Sequence, residues 1–181
     1  MRLPPLPADE WDDRTRAALR GMMPRARQTP AEAGNGLGTL LRHPDLTEAF
    51  LGFNVHLLFR STLSPRIREL AILRVAHRRD SAYEWAHHEE LARAAGLSDD
   101  QIAGVRSGKL ADDFDRVVLD AVDELDGTSQ ISDPTWAALG ARLDDRQRMD
   151  LIFTVGGYAL LAMAFNTFGV ELEHDELEHE R

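Results

Sequence analysis

The stretch RELAILRVAHRRDSAYEWAHHEELARAAGLSDDQI, residues 68–102, indicates the fold because it contains two consecutive helix patterns. Ser64 and Pro65 precede it as a cap followed by proline at the first helical position. A break at Asp80 separates this helix from a second one, which Gly96 ends. Because the break is short, we expect the two helices to be antiparallel neighbours that form the core of the fold.

Helix signals continue on both sides of this pair, and no segment alternates apolar and polar residues as a half-buried strand would. The residues 34–44, GNGLGTLLRHP, are predicted as a loop followed by one turn. Ser98 and Gln101 form a capping-box pattern for another short helix. Further helices are predicted at Ala8–Met23, Pro44–Arg60, Asp112–Leu125, Thr135–Leu143 and Asp144–Val170. Asp133–Pro134 is the predicted cap of the helix Thr135–Leu143. The sequence therefore predicts one all-α domain at 37–173, with an N-terminal arm at 1–36 and a charged tail at 174–181.

An apolar segment, LIFTVGGYALLAMAF, occupies residues 151–165 and contains no charged residue. It is shorter than the roughly 20 residues that a membrane span needs. A helix that is apolar on all sides is usually buried in a core or at a subunit interface. We therefore interpret it as the long apolar C-terminal helix of the domain, with Gly156–Gly157 as a candidate kink.

Composition excludes several classes of function. The 181 residues carry a net charge of -10, which disfavours binding to nucleic acid or to anionic membranes. The chain has no cysteine, so it has no disulfide, no cysteine-based zinc site and no thiol nucleophile. The first residues, MRLPPLPADEWDD, lack the pattern of a signal peptide, and the expected location is the cytoplasm.

The residues 81–88, SAYEWAHH, allow two interpretations. Ser81 and Glu84 have the spacing of a capping box, with Tyr83 and Trp85 anchoring the start of the helix. Alternatively, Glu84 and His88 lie one turn apart on one helix face and form an acid/base pair. The local pattern alone favours the capping box.

Residues 68–102 resemble the core of the carboxymuconolactone decarboxylase family, which includes AhpD-like alkylhydroperoxidases. The upstream HPDLTEAFLGFNVHLLFRSTLSPR and the downstream DLIFTVGGYALLAMAFNTFGVELE are also similar to that family. The resemblance covers most of residues 37–173. It implies an all-α, AhpD-like helical domain, with a core antiparallel helix pair and a long apolar C-terminal helix. It also implies a homo-oligomer, as a dimer, trimer or hexamer.

The AhpD-like peroxidases have a glutamate, a Cys-x-x-Cys twelve residues later, and a histidine four residues after the second cysteine. Glu69 and His88 match the glutamate and the histidine, while Ser81 and Glu84 stand where the two cysteines would be. Tyr83 lies between those two positions. Thiol peroxidase chemistry is therefore excluded, because serine cannot form the sulfenate or disulfide that reduces a peroxide.

The resemblance instead implies decarboxylase-like chemistry, without a cofactor, on a small cyclic or lactone carboxylate. The predicted catalytic residues are Glu69, Glu84 and His88, with Glu84 and His88 as the proton-transfer pair and Glu69 orienting His88 or acting as a second acid/base. Ser81 and Tyr83 would donate hydrogen bonds to a substrate oxygen. Trp85 and the apolar helix, including Tyr158, would exclude water. No site role is assigned to Arg66, Arg68 and Arg74 beyond anion contact.

Two alternatives remain open. A metal ion could bind Glu69, Glu84 and His88, joined by His87 or His77, although the spacing differs from the Glu-x-x-His signature of bundle metal sites. The chain could also be a homologue that binds a small ligand without turnover. His174 and His179 in the tail are expected to be solvated.

Overall fold

The computed structural model describes residues 1–173, and every regular element in this range is helical. The prediction of an all-α fold is confirmed for these residues. The charged tail at 174–181, with His174 and His179, lies outside the described residues. The helices are α1 (Asp13–Ala18), α2 (Pro30–Leu40), α3 (Pro44–Val55), α4 (Pro65–Arg78), α5 (Ala82–Ala94), α6 (Asp99–Ser107), α7 (Asp113–Thr128), α8 (Asp133–Leu139) and α9 (Asp145–Phe168).

Polar caps fix where most of these helices begin. The Ser64 hydroxyl accepts a hydrogen bond from the backbone N–H of Ile67, which confirms the predicted start of α4. The predicted capping box of α6 is present, with Ser98 and Gln101 each bonded to the other's backbone N–H. The predicted cap of α8 was placed one residue too late, because Ser132 accepts from the N–H of Thr135.

Two predictions in the N-terminal part were wrong. Residues 8–23 are not one helix: a 3₁₀ turn at Ala8–Glu10 comes first, and the Asp12 side chain then caps the short α1. The segment predicted as a loop is mostly helix α2, bent at Gly34, whose φ of 61° and ψ of -172° suit glycine alone. Its later glycines permit close packing, since a Cβ at Gly38 would lie 3.0 Å from Pro5.

The contacts divide the chain into two compact units. One contains Met1–Arg60 together with the described residues from Ala164 onward, and the other is Ser61–Met163. The first unit has its own apolar cluster around Trp11, Leu19, Leu41 and Leu51. The predicted boundaries at residues 36 and 173 stay a prediction.

The second unit contains α4 to α8 and most of α9, with α4 packed against both α5 and α7. Glu69 near the start of α4 contacts His88 in the middle of α5, while His77 near the end of α4 meets Trp85 near the start of α5. These contacts are those of an antiparallel pair, as predicted. Ion pairs join α4 to α7, with Arg74 Nη2 2.6 Å from Asp123 Oδ2.

Helix α9 continues through Gly156 and Gly157 as one helix. By length and composition it could cross a membrane, a test that buried helices of water-soluble proteins also pass. Its buried side includes the fully buried Leu151 and Thr154, and Tyr158 at 2% exposure. The opposite side leaves four large apolar side chains about half exposed, namely Met149, Phe153, Leu160 and Met163.

Candidate active site

A hydrogen-bonded Glu–His pair links α4 to α5. The Nδ1 atom of His88 lies 2.7 Å from Oε2 of Glu69, and the other oxygen of Glu69 accepts a hydrogen bond of 2.9 Å from Nε of Arg68. The Glu69 side chain is fully buried, whereas His88 keeps 8% of its surface exposed. The Arg68 guanidinium compensates the Glu69 charge, and the carboxylate fixes the orientation of the imidazole. His88 is thus the more accessible member of the pair.

Glu84 lies one helical turn before His88 and is almost completely buried, with 3% exposure. Neither of its carboxyl oxygens has a hydrogen-bond partner among the described residues. Burial raises the pKa of Glu84 to about 8, and the nearby Ser81 hydroxyl opposes this shift only in part. Glu84 is therefore mostly protonated near neutral pH.

Tyr158 of α9 completes the cluster. Its ring packs edge-on against the His88 ring, with 4.8 Å between the ring centroids. Burial, then the negative charges of Glu69 and Glu84, raise the pKa of Tyr158 well above its ordinary value, against the opposing charge of Arg68. The phenol therefore stays protonated and can donate a hydrogen bond. One turn earlier, Thr154 is fully buried, and its hydroxyl has no partner within residues 1–173.

The structure corrects one expectation about residues 81–88. Ser81 occupies the N-cap of α5, but its hydroxyl makes no capping bond, and Glu84 does not bond back to it. The capping-box interpretation was therefore wrong. The hydrogen-bond partner of His88 Nδ1 is Glu69 on α4, and no hydrogen bond among the described residues joins His88 to Glu84, so their role as a proton-transfer pair stays a prediction. Glu84 remains a separate, uncharged acid on the same face of α5.

The two other predicted substrate-binding residues differ in position. The ring of Tyr83 is partly exposed and stacks on that of His87, with centroids 4.2 Å apart. Trp85 is buried, donates from Nε1 to Glu89, and has the Arg106 guanidinium 3.6 Å above its ring. Its indole thus contacts a different set of side chains from those around His88.

Arg68 was missed as a site residue, because neighbouring positions on a helix do not normally face each other. Its bond to Glu69 follows from the side-chain conformation and not from the sequence spacing. The other residues of the cluster were named in advance, and the contact of Glu69 with His88 agrees with one of the two roles expected for Glu69.

The geometry gives no support to the metal alternative. Among residues 1–173, no group of three or more carboxylate or imidazole side chains is arranged to hold a metal ion. Glu69 is engaged by Arg68 and His88, and the protonated Glu84 lacks the charge that a cation prefers.

Solved structures with the same architecture define the fold class as AhpD-like. A peroxidase-related protein from Ralstonia eutropha, described as an alkylhydroperoxidase AhpD core, superposes with a TM-score of 0.78 at 18% identity, covering 97% of this chain and 95% of that one. A peroxidase-related protein from Silicibacter gives a TM-score of 0.74 at 17% identity, with 97% and 92% coverage. The debrominase Bmp8 in complex with 2,3,4-tribromopyrrole gives 0.76 at 14% identity, with 100% and 98% coverage.

Residues 44–126 match the family model described as the carboxymuconolactone decarboxylase family. This segment is therefore similar to that family, and the chain contains no cysteine. No curated protein sequence shows a significant match to the chain.

Proposed function

We propose that the chain is an acid/base enzyme that decarboxylates a small cyclic or lactone carboxylate without a thiol or a cofactor. The observation that carries this proposal is the uncharged, unpaired Glu84 next to a histidine that a buried carboxylate orients. Two carboxyl groups in such different environments can act as proton donor and as fixed charge in the same site.

In the proposed reaction, the C–C bond to the substrate carboxylate breaks and carbon dioxide leaves. The electron pair moves into the conjugated carbonyl of the substrate, and the Glu84 carboxyl gives its proton to the carbon. His88 then returns a proton to Glu84 and is itself reprotonated from solvent through its exposed edge. The net change is the uptake of one proton and the release of carbon dioxide.

The surrounding residues hold these groups in place. Glu69, fixed by Arg68, keeps the His88 ring in one orientation. The Tyr158 hydroxyl and the unpaired Ser81 hydroxyl are available to donate to substrate oxygens. Tyr83, at the partly exposed edge, is proposed to contact the substrate as it enters. The partner we propose is thus a small molecule and not nucleic acid.

The test combines binding and turnover. Small lactones, cyclic keto acids and aromatic carboxylates would be screened for a rise in melting temperature of the wild type, with and without chelator. Ligands that stabilise the protein would then be assayed for carbon dioxide release. We expect Glu84→Gln and His88→Ala each to lower kcat by about 10² to 10⁴, as loss of a general acid does.

A matched control lies on the same helix. Glu90 is a carboxylate with a side chain that is 79% exposed. Glu90→Gln should retain turnover. Saturable binding without carbon dioxide release would identify a binding protein without turnover, and a melting temperature that falls with chelator would revive the metal alternative. Either result would contradict the proposal.

A further inference from the structure

A cavity of about 490 Å³ lies in the N-terminal unit between α1 and the following 3₁₀ turn at Arg25–Arg27. Its volume is within the range of pockets that bind small molecules. We call it the arginine pocket. Its walls include Arg16, Arg20 and Arg25, with Asp13 and with apolar atoms of Ala17 and Met23.

Sequence spacing explains why these side chains converge. Asp13, Arg16 and Arg20 follow at intervals of three and four residues, which places them on one side of α1 and the turn that extends it. Gln28 closes the other end of the cavity, where its amide is buried and donates to the carbonyl of Met23. Arg25, on the 3₁₀ turn, faces α1 across the pocket.

The arginines of the pocket differ from the neighbouring arginines because acidic side chains of the described residues do not neutralise them. Arg14 bonds to Asp45 and Glu48, and Arg27 bonds to Glu32, so acidic side chains neutralise both. Within residues 1–173, Arg20 and Arg25 have no acidic partner. Arg16 donates only to a backbone carbonyl, that of Trp11. In a chain with a net charge of -10, the pocket therefore keeps three guanidinium groups against the single carboxylate of Asp13.

We propose that the arginine pocket binds a small organic anion that carries two or more carboxylate or phosphate groups on a short apolar body. Guanidinium groups recognise both kinds of oxyanion through paired N–H donors, and the apolar wall formed by Ala17 and Met23 accommodates the carbon skeleton. Three guanidinium groups and one carboxylate give the lining a net positive charge, which favours a ligand with more than one negative charge. This inference is independent of the proposed decarboxylase activity, since none of the pocket residues belongs to the candidate active site.

Titration calorimetry on the full chain at low ionic strength tests the inference, with citrate as the carboxylate probe and pyrophosphate as the phosphate probe. We expect saturable binding of at least one probe, and the comparison between them identifies the preferred oxyanion. Arg20→Gln and Arg25→Gln should each weaken binding about tenfold, the equivalent of one charge-assisted hydrogen bond. Asp13→Asn should tighten binding severalfold, because it removes the only negative charge of the pocket.

Arg27→Gln is the matched control, because Arg27 is an exposed arginine of the same 3₁₀ turn that points to Glu32. It changes the net charge equally and should leave the affinity unchanged. Circular dichroism of each variant verifies that it is folded. The inference is overturned if neither probe binds the wild type, or if Arg27→Gln weakens binding as much as Arg20→Gln does.

Discussion

Glu84 is a buried carboxyl group in an unusual environment, because neither oxygen has a partner among the described residues and its pKa is raised to about 8. In the unfolded chain, the pKa of Glu84 should be near 4.5. Between those two pH values the folded protein holds a proton that the unfolded chain has lost. The free energy of unfolding therefore falls as pH rises through this window.

The Glu84→Gln variant should remove this pH dependence. Between pH 4.5 and pH 8 the free energy of unfolding of the wild type should fall by about 1.4 kcal/mol per pH unit, and by at most about 5 kcal/mol in total. Below this window Glu84 is protonated in both the folded and the unfolded chain, and above it Glu84 is charged in both. Urea denaturation at pH 5 should therefore give similar stabilities for variant and wild type. At pH 8.5 the variant should be the more stable. A variant that is less stable than the wild type at both pH values would show that Glu84 has a structural bond.

Glu69 differs from Glu84, because it is fully buried but each of its carboxyl oxygens has a hydrogen-bond partner. Glu69→Gln should destabilise the protein by about 2–3 kcal/mol, since it removes the buried negative charge that both Nε of Arg68 and the His88 ring contact. Glu90→Gln, at an exposed position, should cost less than about 0.5 kcal/mol. Equal denaturation midpoints for the two variants would mean that the Glu69 bonds contribute nothing net.

At the scale of the helices, the sequence predicts most of the starts, because a cap is a contact between residues three positions apart. Ser64 and Ser98 show this. Helix α2 was missed because Gly34, Gly36 and Gly38 have low helix propensity and packing against Pro5 stabilises a conformation that the local sequence disfavours.

A pair of serine variants separates a true cap from an apparent one. Ser98→Ala should lower the free energy of unfolding by about 1 kcal/mol, because it removes the reciprocal bonds with Gln101. Ser81→Ala should change it by less than about 0.5 kcal/mol, because the Ser81 hydroxyl makes no bond that would be lost. Thermal denaturation of both variants at pH 5, where Glu84 is protonated, provides the measurement. A large loss for Ser81→Ala would restore the capping box.

Across the whole molecule, the candidate site shows where sequence reasoning stops. Spacing within α5 places Glu84 and His88 on one face, and the structure agrees. The bond from His88 to Glu69 depends on how α4 is rotated about its axis, which no spacing within one helix determines. The absence of a partner for Glu84 likewise depends on every element around it. The residue types could thus be predicted, and the resemblance offered the orienting role of Glu69, but the uncharged state of Glu84 could not be predicted.

The exposed apolar stripe of α9 carries the last prediction. Met149, Phe153, Leu160 and Met163 follow at intervals of four, seven and three residues, and each is about half exposed. The family resemblance implies a homo-oligomer, and we expect a second copy of the chain to cover this stripe, since contiguous exposed apolar surface favours association.

Leu160→Asp should therefore shift the protein from oligomer to monomer in sedimentation velocity, because it places a charge at the centre of the contact. Leu91→Asp is the control, since Leu91 is similarly exposed at 46% but lies on α5, outside the stripe. It should leave the sedimentation coefficient unchanged. A monomeric wild type, or a Leu160→Asp variant that remains oligomeric, would contradict the prediction. A monomeric wild type that floats with lipid vesicles would assign the stripe to a membrane surface instead.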